Sequence, residues 1–174
     1  MTRIKKMNIE DIDKVLEIEE ESFPNPWTKR MLIDELTRKN RFYITLFFEG
    51  EIIGYAGFYY VFGEGHITTL AVSSKYRGRG YAKEMIKLII IKAGELGLSE
   101  LTLEVRRSNN RAQILYSQFG FKDMGLRKDY YYKPLENGLI MTLKLGEKTR
   151  LRSLLNFFKQ KQGAKGGKKI NLSK

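Results

Sequence analysis

A mixed α/β domain, with one sheet of about seven strands and about four helices against it, is the fold class this sequence predicts. Three observations predict it. A length of 174 residues suits one domain with a real core. Between residues 41 and 72, β-branched and aromatic runs separated by glycine turns read as an antiparallel meander. Beyond residue 72, helical and strand patterns alternate, which favours parallel neighbours. A doubly wound nucleotide fold would need more alternating units, and no internal repeat is present.

In chain order, residues 2–7 suit a short first strand. Asn8 precedes Ile9, Ile12, Val15, Leu16 and Ile18, spaced three and four apart, which predicts an amphipathic helix over 9–22 with Asn8 as its cap. Pro24 and Pro26 exclude helix from the bulky loop around Phe23 and Trp27. Thr28 caps a second helix reaching about residue 39. Strands follow at 41–48 and 51–61 around a Glu49-Gly50 turn, then at 66–72 after a turn at 63–65. A helix with Met85, Ile86, Ile89, Ile90 and Ala93 on its buried side runs over 81–96, ended by Gly94 and Gly97. A strand at 101–105, a helix capped by Ser108 or Asn109 and ending at Phe119, and strands at 121–132 and 139–145 around a 134–138 turn complete the order.

Composition narrows the function classes. The chain is 42% hydrophobic and 30% charged, as in a soluble globular protein. No apolar run approaches the ~20 residues of a membrane helix, so no membrane insertion is expected. The N-terminus has no apolar stretch behind its charges, so no secretory signal is read. With no cysteine, disulfides, a thiol nucleophile and thiolate-bound zinc are excluded, and a cytoplasmic location is expected. The net charge of +12 is uneven: residues 146–174 carry nine Lys or Arg against Glu147, leaving only +4 for the rest. The domain is therefore read as 1–146 and the basic tail as 147–174. In the tail, Leu151, Leu154, Leu155 and Phe158 mark a short amphipathic helix before a Gly/Lys-rich, disordered stretch. The tail is either solvated with one docking helix, or a contact for RNA, a ribosome or an acidic membrane surface.

Between the strand at 66–72 and the helix at 81 lies Arg77-Gly78-Arg79-Gly80. Glycines let consecutive amides turn into a concavity, and the helix start adds unpaired N–H groups and the positive dipole end. With Arg77, Arg79 and Lys83 at the rim, the stretch reads either as a pyrophosphate site or as a Gly-rich turn with solvated arginines. Further on, Glu104 shares a strand face with Thr102 and Arg106, and is either catalytic or paired with an arginine. His66, the only histidine, is expected on the same strand face as Thr68 and Leu70, within reach of Glu104. There it would hydrogen-bond, relay a proton, or with Glu104 bind an adventitious metal. Of three successive tyrosines, 130 to 132, at least one must be exposed.

These motifs together resemble the GNAT superfamily of acetyl-CoA-dependent N-acetyltransferases. They are Arg77-Gly78-Arg79-Gly80-Tyr81-Ala82, then Glu104-Val105-Arg106 with Ser108-Asn109, then Tyr116 followed by Gly120-Phe121. The second segment, with Phe23-Pro24 and Pro26-Trp27 and Asp129-Tyr130-Tyr131-Tyr132, is similar to the RimI and NatA-catalytic-subunit branch, which acetylates protein N-termini. The resemblance covers residues ~3–145 in order and spacing. It implies the GNAT fold and acetyl-CoA as co-substrate, with no metal required. It implies that Gly78, Arg79, Gly80, Tyr81, Ala82 and Lys83, rimmed by Arg77, hold the pyrophosphate. The backbone of Leu70, Ala71 and Val72 would then pair with the pantetheine arm like an added strand, and Val72 N–H would polarise the thioester carbonyl. Asn109 and Tyr116, two turns apart, would reach the same end of the cofactor. Glu104 is the implied general base and Tyr116 the general acid. Phe23, Pro24, Trp27, His66, Tyr130 and Tyr131 are expected to flank the peptide N-terminus, Tyr131 foremost. A covalent enzyme intermediate is not expected. The alternatives are acetylation of lysine side chains or small amines, and a non-catalytic acyl-CoA- or RNA-binding protein.

Overall fold

The computed structural model describes residues 1–146. The amphipathic helix and the RNA, ribosome or membrane-surface contact expected of 147–174 lie outside the described residues. Eleven elements follow one another: β1 (Thr2–Lys6), α1 (Ile12–Ser22), α2 (Lys29–Thr37), β2 (Arg41–Phe48), β3 (Glu51–Val61), β4 (Glu64–Val72), α3 (Tyr81–Glu95), β5 (Glu100–Arg106), α4 (Asn110–Gln118), β6 (Lys122–Tyr132) and β7 (Leu135–Lys144). The strands form one sheet in the order β1-β2-β3-β4-β5-β7-β6. Every neighbouring pair is antiparallel except β4 with β5.

Each face of the sheet carries its own core. On one, Met85, Ile86 and Ile89 of α3 pack with Leu101, Leu103 and Val105 of β5 and Tyr116 of α4. On the other, Ile12, Val15 and Ile18 of α1 and Leu32 of α2 cover Tyr43, Tyr55 and Ala71. Helix α3 buries seven apolar residues, Met85 through Ala93. At roughly 1.5–3 kcal/mol for each large aliphatic side chain, this outweighs the ~1 kcal/mol of a side-chain cap. The helix therefore tolerates Gly80 at its N-cap, which offers no side-chain bond.

The expected elements form, with local corrections. Asn8 does cap, through a reciprocal pair with Asp11, but it caps a short 3-10 turn over Ile9–Asp11 that leads into α1. The β3–β4 turn is Phe62-Gly63, both at positive φ, so β4 begins at Glu64 rather than 66. Strand β7 begins at Leu135, inside the expected turn, because Lys133 and Pro134 suffice to reverse the chain.

One correction bears on the site. Gly57 pairs with Thr69 while Phe58 pairs with Ile67, so Thr68 is an extra residue in β4, and such a bulge breaks strict alternation. The Thr68 and Thr69 hydroxyls both meet tyrosines of the α1/α2 core, Tyr43 at 2.8 Å and Tyr55 at 3.0 Å. Leu70 and Val72 then pack into the α3/α4 core. His66, next to Ile67 of that core, therefore faces the side opposite to Leu70, not the same side.

Candidate active site

Strands β4 and β5 are paired over three rungs only, the last being His66 with Thr102. Beyond that rung they part. Leu70, Ala71 and Val72 keep their β3 partners, Ala56, Tyr55 and Gly54, and leave the β5 side of their backbone facing a cavity. Its volume is about 490 Å³ and it is lined by all three residues. Tyr76, Arg77, Gly78, Gly80, Tyr81, Ala82 and Lys83 form the second wall, and Asn109, Ala112 and Leu115 at the start of α4 form the third. Gly78 and Gly80 sit at φ +80° and +87°, a region costly for residues with a Cβ, so the loop keeps its shape only with glycine there. An apolar channel ending on an uncapped helix start with cationic neighbours fits a pantetheine arm and its pyrophosphate.

The arginines of the loop divide the work differently from expectation. Arg77 lines the cavity but is also structural: its Nε donates to Val72 O at 2.8 Å and Nη2 to Ser22 Oγ at 2.9 Å. With Glu21, which accepts from Ser74 N and Oγ at 2.9 Å each, it ties the end of α1 to the loop. Arg79 lies over the Tyr76 ring, 5.5 Å from its centroid, and is not among the lining residues. Arg111 of α4 takes a place on the wall, and a Cβ added at Gly78 would meet its Nη2 at 3.5 Å. Sequence reasoning missed it because nothing local marks a helical arginine as facing a loop thirty residues earlier. Phe23, expected on the peptide side, lines this cavity as well.

The chemistry-bearing side chains gather on the other face of the sheet. Glu104, its side chain 7% exposed, accepts from His66 Nε2 at 2.9 Å on one oxygen and from Arg127 Nη1 at 2.7 Å on the other. Burial alone would raise its pKa. The His66 hydrogen bond and charge, and then Arg127, outweigh that and hold it below the ordinary carboxylate value. The alternative of pairing with an arginine is met as well, by Arg127 from β6 and not by Arg106 of its own strand. Arg106 instead pairs with Glu136 at 3.3 Å, donates to the Lys133 and Pro134 carbonyls, and lies 4.3 Å from the Tyr131 ring centroid. His66 is stacked on Tyr59, centroids 5.2 Å apart. Among the described residues no group of three or more His, Cys, Asp or Glu could hold a metal.

Tyr130 and Tyr131 meet edge to face at 4.9 Å, where β6 bulges between Arg127 and Tyr131 with Asp129 at φ +50°. Tyr132 is the most exposed of the three tyrosines, at 75%. Tyr116 packs edge-on against Phe121. Burial pushes its hydroxyl up to about 12, so it is protonated at neutral pH. Asn109 and Tyr116 part company: Asn109 is the N-cap of α4, accepting from Ala112 N at 3.1 Å, and lines the cavity. Tyr116 is not on the cavity wall, and its electrostatic neighbour is Tyr131. On the α1–α2 loop Pro24 is exposed and Trp27 half-buried. Buried Glu19, which sequence reasoning passed over, takes the Trp27 N–H at 2.9 Å on Oε1, and its Oε2 has no hydrogen-bond partner among the described residues.

Residues 12–121 match the model of the Acetyltransferase (GNAT) family. A [ribosomal protein bS18]-alanine N-acetyltransferase of Haemophilus ducreyi is 35% identical, over 78% of this chain and 95% of that protein. A Bacillus subtilis protein named as a candidate enzyme of the same kind is 37% identical, over 83% and 96%. The crystal structure of the ribosomal-protein-S18-alanine N-acetyltransferase from Escherichia coli superposes with a TM-score of 0.78 at 26% identity, covering 84% of this chain and 97% of that one. Ard1 from Thermoplasma volcanium shares the fold, also at a TM-score of 0.78. The seven-stranded mixed sheet with four helices is the GNAT fold. No helix among the described residues is long and apolar enough to cross a membrane.

Proposed function

The chain belongs to the GNAT acetyltransferase family, and we propose that within it this enzyme acetylates the α-amino group of protein N-termini, an alanine-initiated ribosomal bS18 first among them. A substrate of that kind would place the enzyme in the cytoplasm. One observation carries the reading. Two residues past the last β4–β5 rung, the carboxylate of Glu104, bonded to the histidine of that rung, stands on one face of the sheet, and β4 continues into the cavity wall. The names of relatives at 35% and 37% identity support the choice of substrate. A relative covered to 96% of its length by 83% of this chain also supports reading 1–146 as the acetyltransferase domain and 147–174 as a basic appendage.

Acetyl-CoA, the family's donor, supplies an acyl group already activated as a thioester. The loop of Gly78 to Lys83 holds its pyrophosphate, and the free edge of Leu70 to Val72 aligns the arm. Val72 N–H is aimed as a donor to the carbonyl oxygen. Glu104, alone or through His66, takes the proton of the incoming ammonium. The amine nitrogen bonds to the acetyl carbon as the carbon–sulfur bond breaks, Tyr116 gives its proton to the departing thiolate, and the second proton that the nitrogen sheds on becoming an amide restores the tyrosine hydroxyl by way of solvent. Because its partners hold the carboxyl of Glu104 low, it is a weak base while they are in place. Tyr130, Tyr131, Pro24 and Trp27 flank the acceptor.

A peptide panel with acetyl-CoA, varying the first two residues and including α-blocked controls carrying an internal lysine, tests this by mass spectrometry. Acetylation confined to free α-amines, with alanine starts foremost, is expected. Modification of the lysine in blocked peptides would transfer the reading to side-chain acetylation.

A further inference from the structure

We infer that Arg127 is a displaceable cap on Glu104, occupying the carboxylate in the free enzyme and giving way to the incoming amine. This rests on the reading of Glu104 as the base. Each oxygen of Glu104 already takes one short hydrogen bond, and the side chain is only 7% exposed. A substrate ammonium approaching from solvent meets Arg127 first, because Arg127 holds one oxygen from the exposed side while His66 holds the other from within, and a further cation there would add to the positive charge already gathered on one carboxylate.

The two partners are not held alike. His66, 23% exposed, is backed in depth: it stacks on Tyr59, Tyr59 lies under the Arg41 guanidinium at 4.8 Å, and Arg41 donates to Glu35 at 2.8 Å. The Arg127 side chain is 56% exposed. Among the described residues its one other support is Tyr130, whose ring centroid is 5.1 Å away, and it stands on the edge strand beside a bulge. Arg106, on the strand face of Glu104, shows what a fixed arginine looks like here. It has two carbonyls, a carboxylate and an aromatic face as partners and is 17% exposed. Among the described residues Arg127 has a carboxylate and an aromatic face but no carbonyl partner, and Tyr130 offers it a seat once it lets go.

Displacement would also change what Glu104 can do. The groups facing it are His66 from β4 with Tyr59 of β3 behind it, Arg127, Tyr130 and Tyr131 from β6, and Arg106 on its own strand. Burial works against the charged carboxylate and the cations favour it. Removing Arg127 shifts that balance toward burial, so the carboxylate without its cap is the stronger base, and the ammonium that takes the cap's place is the proton donor it acts on.

The test uses the full chain with Arg127→Gln and Arg127→Lys. Titration of the Glu104 carboxyl by carbon-13 resonance, without substrate, is expected to show its midpoint about one pH unit higher in Arg127→Gln, with Arg127→Lys restoring most of the difference. A peptide that the wild-type enzyme acetylates is expected to bind Arg127→Gln about threefold to tenfold more tightly, while its α-acetylated form binds both proteins equally. An unmoved midpoint, or equal weakening of both peptide forms, would overturn the cap: the first makes the ion pair an idle surface contact, the second a fixed part of the peptide site. If no α-amine is acetylated at all, the proposed function fails, and the titration still decides whether Arg127 governs Glu104.

Discussion

The two halves of the site are built on different plans. The donor half is nearly one continuous stretch, from Leu70 to Lys83, closed by the first turns of α4. Its shape comes from backbone: positive φ at Gly78 and Gly80, an uncapped helix start, and a strand edge left free where β4 and β5 part. The acceptor half has no such continuity. Glu104, His66, Arg127, Tyr130 and Tyr131 come from three strands, β4, β5 and β6, and meet only because the sheet is assembled. The donor half should therefore be sensitive to backbone changes, and the acceptor half to the removal of single functional groups.

The largest effect expected is on the acceptor side. Glu104→Gln should lower kcat by about 10²–10⁴-fold with acetyl-CoA affinity unchanged, as read by steady-state kinetics and calorimetry. A comparable loss of cofactor affinity would erase the division between the halves. Gly78→Pro is the mirror case. Proline fixes φ near −65° where the loop needs +80°, so acetyl-CoA should bind about tenfold to a hundredfold more weakly. Tyr116→Phe should reduce kcat by roughly tenfold. Since burial keeps its hydroxyl protonated up to about 12, the deficit should be constant between about pH 7 and 9. A deficit that disappears with rising pH would remove Tyr116 from the acid role.

The effect most remote from the chemistry concerns stability on the α1–α2 loop. Burial raises the Glu19 carboxyl to about 7, against the pull of the Trp27 N–H. A carboxyl raised in the folded state binds more protons folded than unfolded. Stability is then lost as pH rises from its unfolded value of 4.5 to about 7 and is level above that. The loss is of order 3 kcal/mol. Glu19→Gln should flatten that slope in urea unfolding measured at pH 5 and pH 7.5. An unchanged slope would assign it to other groups.

The same contrast explains what was legible in the sequence. The glycine loop could be read because its residues are neighbours and their chemistry follows from backbone freedom. The strand containing Glu104 could be placed because alternation puts Leu101, Leu103 and Val105 in the core and Glu104 opposite. Arg127 could not be paired with Glu104 by local pattern, because their meeting depends on β7 inserting between β5 and β6. His66 does not share a face with Leu70 because Thr68 is an extra residue in β4, and nothing in the local composition signals that bulge. Glu19 was hidden in a run of three glutamates, of which only burial singles one out.

If the halves meet across the β4–β5 gap, both substrates must be bound together for transfer to occur. Initial rates with acetyl-CoA and an alanine-initiated peptide varied against each other test this most directly. Direct transfer predicts lines that intersect in a double-reciprocal plot, and no acetylated enzyme after incubation with acetyl-CoA alone. Parallel lines, together with an acetyl group recovered on the protein, would contradict it.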